Sequence, residues 1–115
     1  MESRFRIALG RGGLDKHSEG DGRTPTGRYL LGVPRSSARF HRFIPIGYPT
    51  PEQRAERRTG GDIGIHGPHS AFLRLGAATT LTDWTRGCVA LGRQAEVDAV
   101  AAWVESVRPR EIVVD

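Results

Sequence analysis

Fifteen glycines and seven prolines are scattered through this chain of 115 residues, and their spacing limits the fold more than any other feature. Each one favours a turn or interrupts a regular element, so the apolar segments between them are short. Short apolar segments bounded by turn residues read as strands, and a mainly β fold of sandwich or barrel-like type is expected. "RFRIALG" alternates Phe5, Ile7 and Leu9 with Arg4, Arg6 and Ala8, the period-2 pattern of a half-buried strand. "RYLLGV" and "RFHRFIPIGY" read as the next strands. "DIGIHG" is a strand ending at His66, "CVALG" is one beginning at Cys88, and "EIVVD" is the last.

Two segments break this pattern. Residues 94–107, "QAEVDAVAAWVESV", place Val97, Val100, Ala101 and Val104 on one face at helical spacing, with Glu96, Asp98 and Glu105 opposite. This predicts an amphipathic C-terminal helix packed on a sheet and ended by Pro109, with Trp103 at the core or its rim. "TPEQRAERRTGG" predicts a short surface helix, with Thr50 as N-cap, Pro51 at the first helical position and Gln53 completing a capping box. Gly60 and Gly61 are expected to stop it. At this length the chain is expected to be one domain, residues 1–115.

Several function classes are set aside by what the chain lacks. One cysteine rules out an internal disulfide framework and any multi-cysteine zinc module. No apolar run approaches the roughly 18 residues needed to span a bilayer. "MESRFRIALG" enters strand-like alternation at once, with no signal peptide, so the start is expected to lack a leader. The loop "GRGGLDKHSEGDGRTPTG" is read as a long turn-rich connection. It is rich in glycine but has Asp15 where a dinucleotide fingerprint from Gly10 needs glycine, and Lys16 lacks the glycine that precedes it in a phosphate loop. The charge is uneven: residues 1–58 hold 12 basic and 6 acidic side chains, and 59–115 hold 5 and 7. A basic front half suits an anionic polymer, nucleic acid or wall glycan, or serves solubility alone. No basic run interleaved with aromatics supports nucleic-acid binding.

The chemistry concentrates at Cys88 and His66. A thiol nucleophile needs a base, because its ordinary pKa near 8.5 leaves little thiolate at neutral pH. It also needs donors for the oxyanion formed when it attacks a carbonyl. His66 before Gly67 and Cys88 after Gly87 supply those elements if two adjacent strands bring them together, and Gly87 allows close backbone approach to a substrate. A lone cysteine is equally a small buried hydrophobe, and residue types alone leave both readings open. His66, His69 and Cys88 form a weaker metal set, without the helical spacing or the CxxC that zinc sites use, and neither metal nor cofactor is expected. His17 and His41 read as surface residues, and Asp62 and Asp83 as orienters of the histidine or as turn caps.

"GDGRTPTGRY", "IPIGYPT", "GGDIGIHG" and "DWTRGCVAL", in that order, resemble the catalytic domain of the L,D-transpeptidase (YkuD-like) family, in the branch whose cysteine motif reads Asp-Trp-Thr-x-Gly-Cys. The resemblance implies a mostly β domain with Cys88 as nucleophile and His66 as its base. It also implies that the Gly67 carbonyl orients the imidazole and that N–H groups around Gly87 and Cys88 form the oxyanion hole. Trp84, Thr85, Arg86 and His69 would contact substrate. Family members form a thioester with a peptidoglycan tetrapeptide stem, release D-alanine and transfer the stem to an amine, giving a 3–3 cross-link. The resemblance thus implies a periplasmic or wall-associated protein whose partners are stem peptides. The same Cys-His pair would also serve an amidase or L,D-carboxypeptidase, and a vestigial thiol would leave a wall-binding module. Arg86 stands where the commoner motif has histidine, and Ala90 where it has arginine or asparagine. Many family domains carry a further hairpin before the strand matching "RFRIALG", whose absence would leave an open sheet edge.

Overall fold

The structure is a computed structural model that describes residues 7–69, 85, 87–106 and 110–114. Its centre is a mixed five-stranded sheet in the order β1 (Ile7–Ala8), β8 (Val89–Leu91), β7 (Gly64–His66), β6 (His41–Pro45), β5 (Arg35–Ser37). β7 and β8 run parallel and the other neighbours antiparallel. The register sets Phe43 beside His66, His66 beside Ala90, and Ala90 beside Ala8. Ile44, Ile65 and Val89 form the adjacent row. Successive side chains alternate between faces, so His66 shares its face with Phe43 and the two alanines. The isoleucine row faces the core.

That core face is closed by α2 (Gln94–Ser106), whose buried Val97, Ala101 and Val104 join Ile44, Ile65, Val89 and Leu91 in one cluster. The helix matches its apolar periodicity to within a residue of the expected end. Trp103 lies at its exposed rim. Asp98, expected to face solvent, instead bonds His41 Nε2 at 2.8 Å and also pairs with Arg42 Nε. His41 is therefore not a free surface residue. It fastens the start of β6 to the helix.

The second two-stranded layer pairs β4 (Gly27–Leu31) antiparallel with β9 (Arg110–Val114). Tyr29, opposite Ile112, turns into the core, and its hydroxyl donates to the Thr26 carbonyl at 2.6 Å. Leu30 and Val113 are exposed on the other side.

Three local expectations are corrected and one strand is added. Ala8 is fully buried while Ile7 is 40% exposed, the reverse of the alternation in "RFRIALG". Among the described residues β1 is an outer strand, so Ile7 has a sheet neighbour there on one side, whereas Ala8 points to the His66 face beside the loop that follows β1. That loop is not a plain connection. β2 (Gly13–Leu14) and β3 (Arg23–Thr24) pair in parallel within it, held by Gly12 N–H to the Gly22 carbonyl (2.7 Å) and Gly10 N–H to Thr24 Oγ1 (2.8 Å). The added strand is β5 at residues 35–37, which pairs antiparallel with β6. Finally, α1 (Pro51–Ala55) has the expected capping box, Gln53 N–H to Thr50 Oγ1 at 3.2 Å and Thr50 N–H to Gln53 Oε1 at 3.0 Å, but closes at Glu56, before the two glycines.

Candidate active site

The parallel pairing of β7 with β8 places the C-terminal end of one strand beside the strand that starts one residue after Cys88. His66 lies opposite Ala90, and the even-numbered Cys88 precedes β8 on the side that Ala90 and His66 share. Both His66 and Cys88 border one groove of about 780 Å³, with Phe40 and Phe43 on the hairpin side and Arg11 and Lys16 on the loop side.

His66 is almost wholly buried, 3% exposed. Its Nδ1 lies 2.7 Å from the Gly67 carbonyl oxygen. A carbonyl can only accept, so the neutral ring carries its proton on Nδ1 and its lone pair on Nε2. The Phe40 ring stacks on the imidazole, centroids 4.0 Å apart and planes 27° apart, and meets His69 edge-on. The Phe40 carbonyl accepts the Gly67 N–H at 3.0 Å, and a Cβ on Gly67 would stand 2.8 Å from that oxygen. Glycine after the histidine is thus a packing requirement. Burial pushes the imidazole pKa below its ordinary 6.5, against the Gly67 hydrogen bond, which raises it; His69 lowers it further.

Cys88 is half-buried, with Sγ 3.4 Å from the Asp62 carbonyl. Burial pushes its pKa up from 9.0; a backbone hydrogen bond from Gly64 and the Lys16 charge oppose this, and the Asp62 carboxylate adds to it. At rest the pair is therefore neutral thiol and neutral imidazole.

The approach to Cys88 is set by Thr85 and Gly87. Thr85 is buried and exchanges hydrogen bonds with the 9–11 segment, its N–H to the Leu9 carbonyl (3.0 Å) and its carbonyl from Arg11 N–H (2.9 Å). Its hydroxyl donates to the Cys88 carbonyl at 2.7 Å and accepts from Gly87 N–H at 3.1 Å. Thr85 borders the groove but spends its hydroxyl on its own loop. Gly87 has φ +136°, and a Cβ there would stand 2.7 Å from the Arg23 carbonyl oxygen. The threonine and glycine of "TRGC" thus have local reasons independent of any substrate. His69 is at the groove, while Trp84, Arg86 and Asp83 lie outside the described residues.

Two groove residues were not legible as site residues. Phe40 sits in a segment read only as strand. Lys16 sits in a polar loop where nothing local signals burial, yet it is 2% exposed. Among the described residues no three His, Cys, Asp or Glu side chains are grouped as metal ligands would be. No helix among them is long and apolar enough to cross a membrane.

The sequence profile of the YkuD family, the L,D-transpeptidase catalytic domain, matches residues 1–114. No curated protein matches the sequence. Among solved structures the fold is similar to the helical cell shape determining protein Pgp2 from Campylobacter jejuni, with TM-score 0.75 and 28% identity over 93% of this chain. A lysine-to-alanine variant of Pgp2 gives 0.73 and 30% over 93%. Bd1075 of Bdellovibrio bacteriovorus shares the fold, with TM-score 0.65 and 23% identity over 95% of the chain. The match spans 36%, 35% and 37% of those three chains, about a third of each. With the profile running through both the histidine and the cysteine strands, the chain belongs to the YkuD family of L,D-transpeptidase catalytic domains.

Proposed function

We propose that the chain is a single catalytic domain, a cysteine acyltransferase that makes 3–3 cross-links between peptidoglycan tetrapeptide stems. His66 Nε2 takes the Cys88 proton as the thiol attacks the diaminopimelate carbonyl. The tetrahedral intermediate collapses to a thioester as the proton passes to the departing D-alanine amine. The amine of a second stem then attacks the thioester, and the thiol is regenerated. The Gly67 carbonyl holds the imidazole in the tautomer this requires. Because Gly87 N–H is committed to Thr85, the oxyanion donor in this reading is the Cys88 N–H, and Gly87 lets the carbonyl approach. Trp84, Arg86 and His69 are assigned to the stem peptide, Arg86 through the bidentate grip its fork allows on a carboxylate. Such a substrate lies outside the cytoplasm, and the site of action in periplasm or wall is part of the proposal.

One observation carries this reading: an imidazole oriented by a 2.7 Å hydrogen bond and a thiol border one groove from neighbouring parallel strands. Family membership and the designation of Pgp2 as a helical cell shape determining protein agree with it. The test is intact-mass and product analysis with defined tetrapeptide muropeptides. The wild type is expected to gain an acyl adduct that Cys88→Ala lacks. His66→Ala is expected to slow acylation by at least about 100-fold at neutral pH. Dimeric products support transfer, and shortened monomers alone reassign the domain as a hydrolase. Thiol labelling no faster than in a free peptide, unchanged by His66→Ala, refutes both.

A further inference from the structure

Lys16 is the only lysine among 17 lysine and arginine residues, and it is buried at the edge of the groove that holds Cys88. A buried ammonium is costly unless its donors are matched. It has three. Asp21 Oδ1 takes one at 2.9 Å and the Ser18 carbonyl takes another at 3.1 Å. No described residue accepts the third.

Its surroundings keep that donor available. Asp21 is a fixed partner, since its carboxylate also accepts from the N–H groups of His17, Ser18 and Arg23 at 3.0, 3.1 and 3.0 Å. Lys16 and these amides hold the Asp21 pKa well below the carboxylate range despite burial, so the aspartate stays charged. Gly60 at φ +115° passes directly over the lysine: a Cβ there would stand 2.8 Å from Lys16 Cε and 3.6 Å from Nζ. The close contact suits a compact ammonium and not the broad guanidinium used at every other basic position. A latch between loop residues needs neither the unfilled donor nor a place on the groove that holds the thiol.

The geometry points to Lys16 as a carboxylate-recognising residue of this groove, separate from Arg86, its third N–H receiving an oxygen of an anionic acyl donor whose carbonyl reaches Cys88. The identity of that donor rests on the function proposed above, but recognition of the carboxylate does not.

Maleimides test this without turnover. The Cys88 thiolate adds across the ring double bond, the ring carbon takes a proton from water, and the reagent needs no leaving group. A series ending in carboxylate or carboxamide, on arms of increasing length, is compared on the protein and on N-acetylcysteine amide. For one arm length the carboxylate-to-carboxamide rate ratio is expected to exceed that of the free thiol by about tenfold. Lys16→Met is expected to return it to the free-thiol value, while Arg11→Gln, at the same groove, leaves most of it. If circular dichroism shows Lys16→Met unfolded, Lys16→Met/Asp21→Asn removes both charges together and serves in its place. A wild-type ratio equal to the free thiol at every arm length, or a raised ratio that survives loss of the lysine, overturns the inference. Cross-linking with no charge preference refutes the Lys16 role alone, and a Lys16-dependent preference without acyl transfer refutes the proposed function alone.

Discussion

Gly87 is the residue at which backbone and chemistry constrain each other most tightly. Its φ of +136° is a conformation other residues adopt only under strain, and a side chain would strike the Arg23 carbonyl. Gly87→Ala is expected to cost roughly 1–3 kcal/mol from strain. It should also displace Cys88, whose carbonyl is tied to Thr85 one residue before the glycine's neighbour. Urea denaturation and maleimide labelling of the same variant check this: labelling at the wild-type rate would mean that the glycine serves stability alone. At this scale the glycine before the cysteine is legible in sequence, because its conformational freedom is a property of the residue type. Its collision partner is not, since Arg23 lies 64 positions away and is brought close only by the paired loop strands.

At the scale of elements, the hairpin between β5 and β6 places Phe40 on His66, and α2 holds that hairpin through one carboxylate. Asp98 takes both His41 and Arg42, the first two residues of β6. These positions are substantially exposed, so the pair adds little to global stability once water screens it. Its consequence is positional. Asp98→Ala is expected to leave the denaturation midpoint nearly unchanged but to lower kcat several-fold, as the Phe40 stack and the Phe40 carbonyl loosen from His66 and Gly67. Asp98→Glu is expected to restore part of the rate; equal kcat in Asp98→Ala and wild type would detach the hairpin from the site. The helix itself was readable because its periodicity is local, and so was the Thr50–Gln53 capping box. The bond between Asp98 and a strand 56 to 57 positions earlier was not. An acidic residue on the polar side of a helix reads as solvated until a partner from elsewhere covers it.

For the whole molecule, the buried site groups give stability an expected dependence on pH with a worked sign. His66 has its folded pKa below the 6.5 of the unfolded chain, because burial disfavours the cation. Above that pH both states are neutral, and the favourable difference is complete. As pH falls below 6.5 the unfolded chain binds a proton that the folded chain refuses, and stability declines until the folded pKa is passed. Cys88 acts at the other end: its folded pKa is raised above 9.0, so alkali ionises the unfolded thiol first and again lowers stability. Urea midpoints are expected to peak between these limits, with the acid decline shallower in His66→Gln and the alkaline decline shallower in Cys88→Ala; limbs unaltered by either variant would assign the pH dependence to other groups. Sequence by itself determined the strand-rich class and the two helices and singled out His66 and Cys88 as candidates, because turn chemistry, apolar period and residue reactivity act over a few neighbouring positions. Only the tertiary structure decided which sheet face meets the groove, that Phe40 covers His66, and that the one lysine is buried on the groove that also holds the thiol. Those facts depend on strand register and on loops meeting across long chain separations, where burial and pairing are created by contacts that no local pattern encodes.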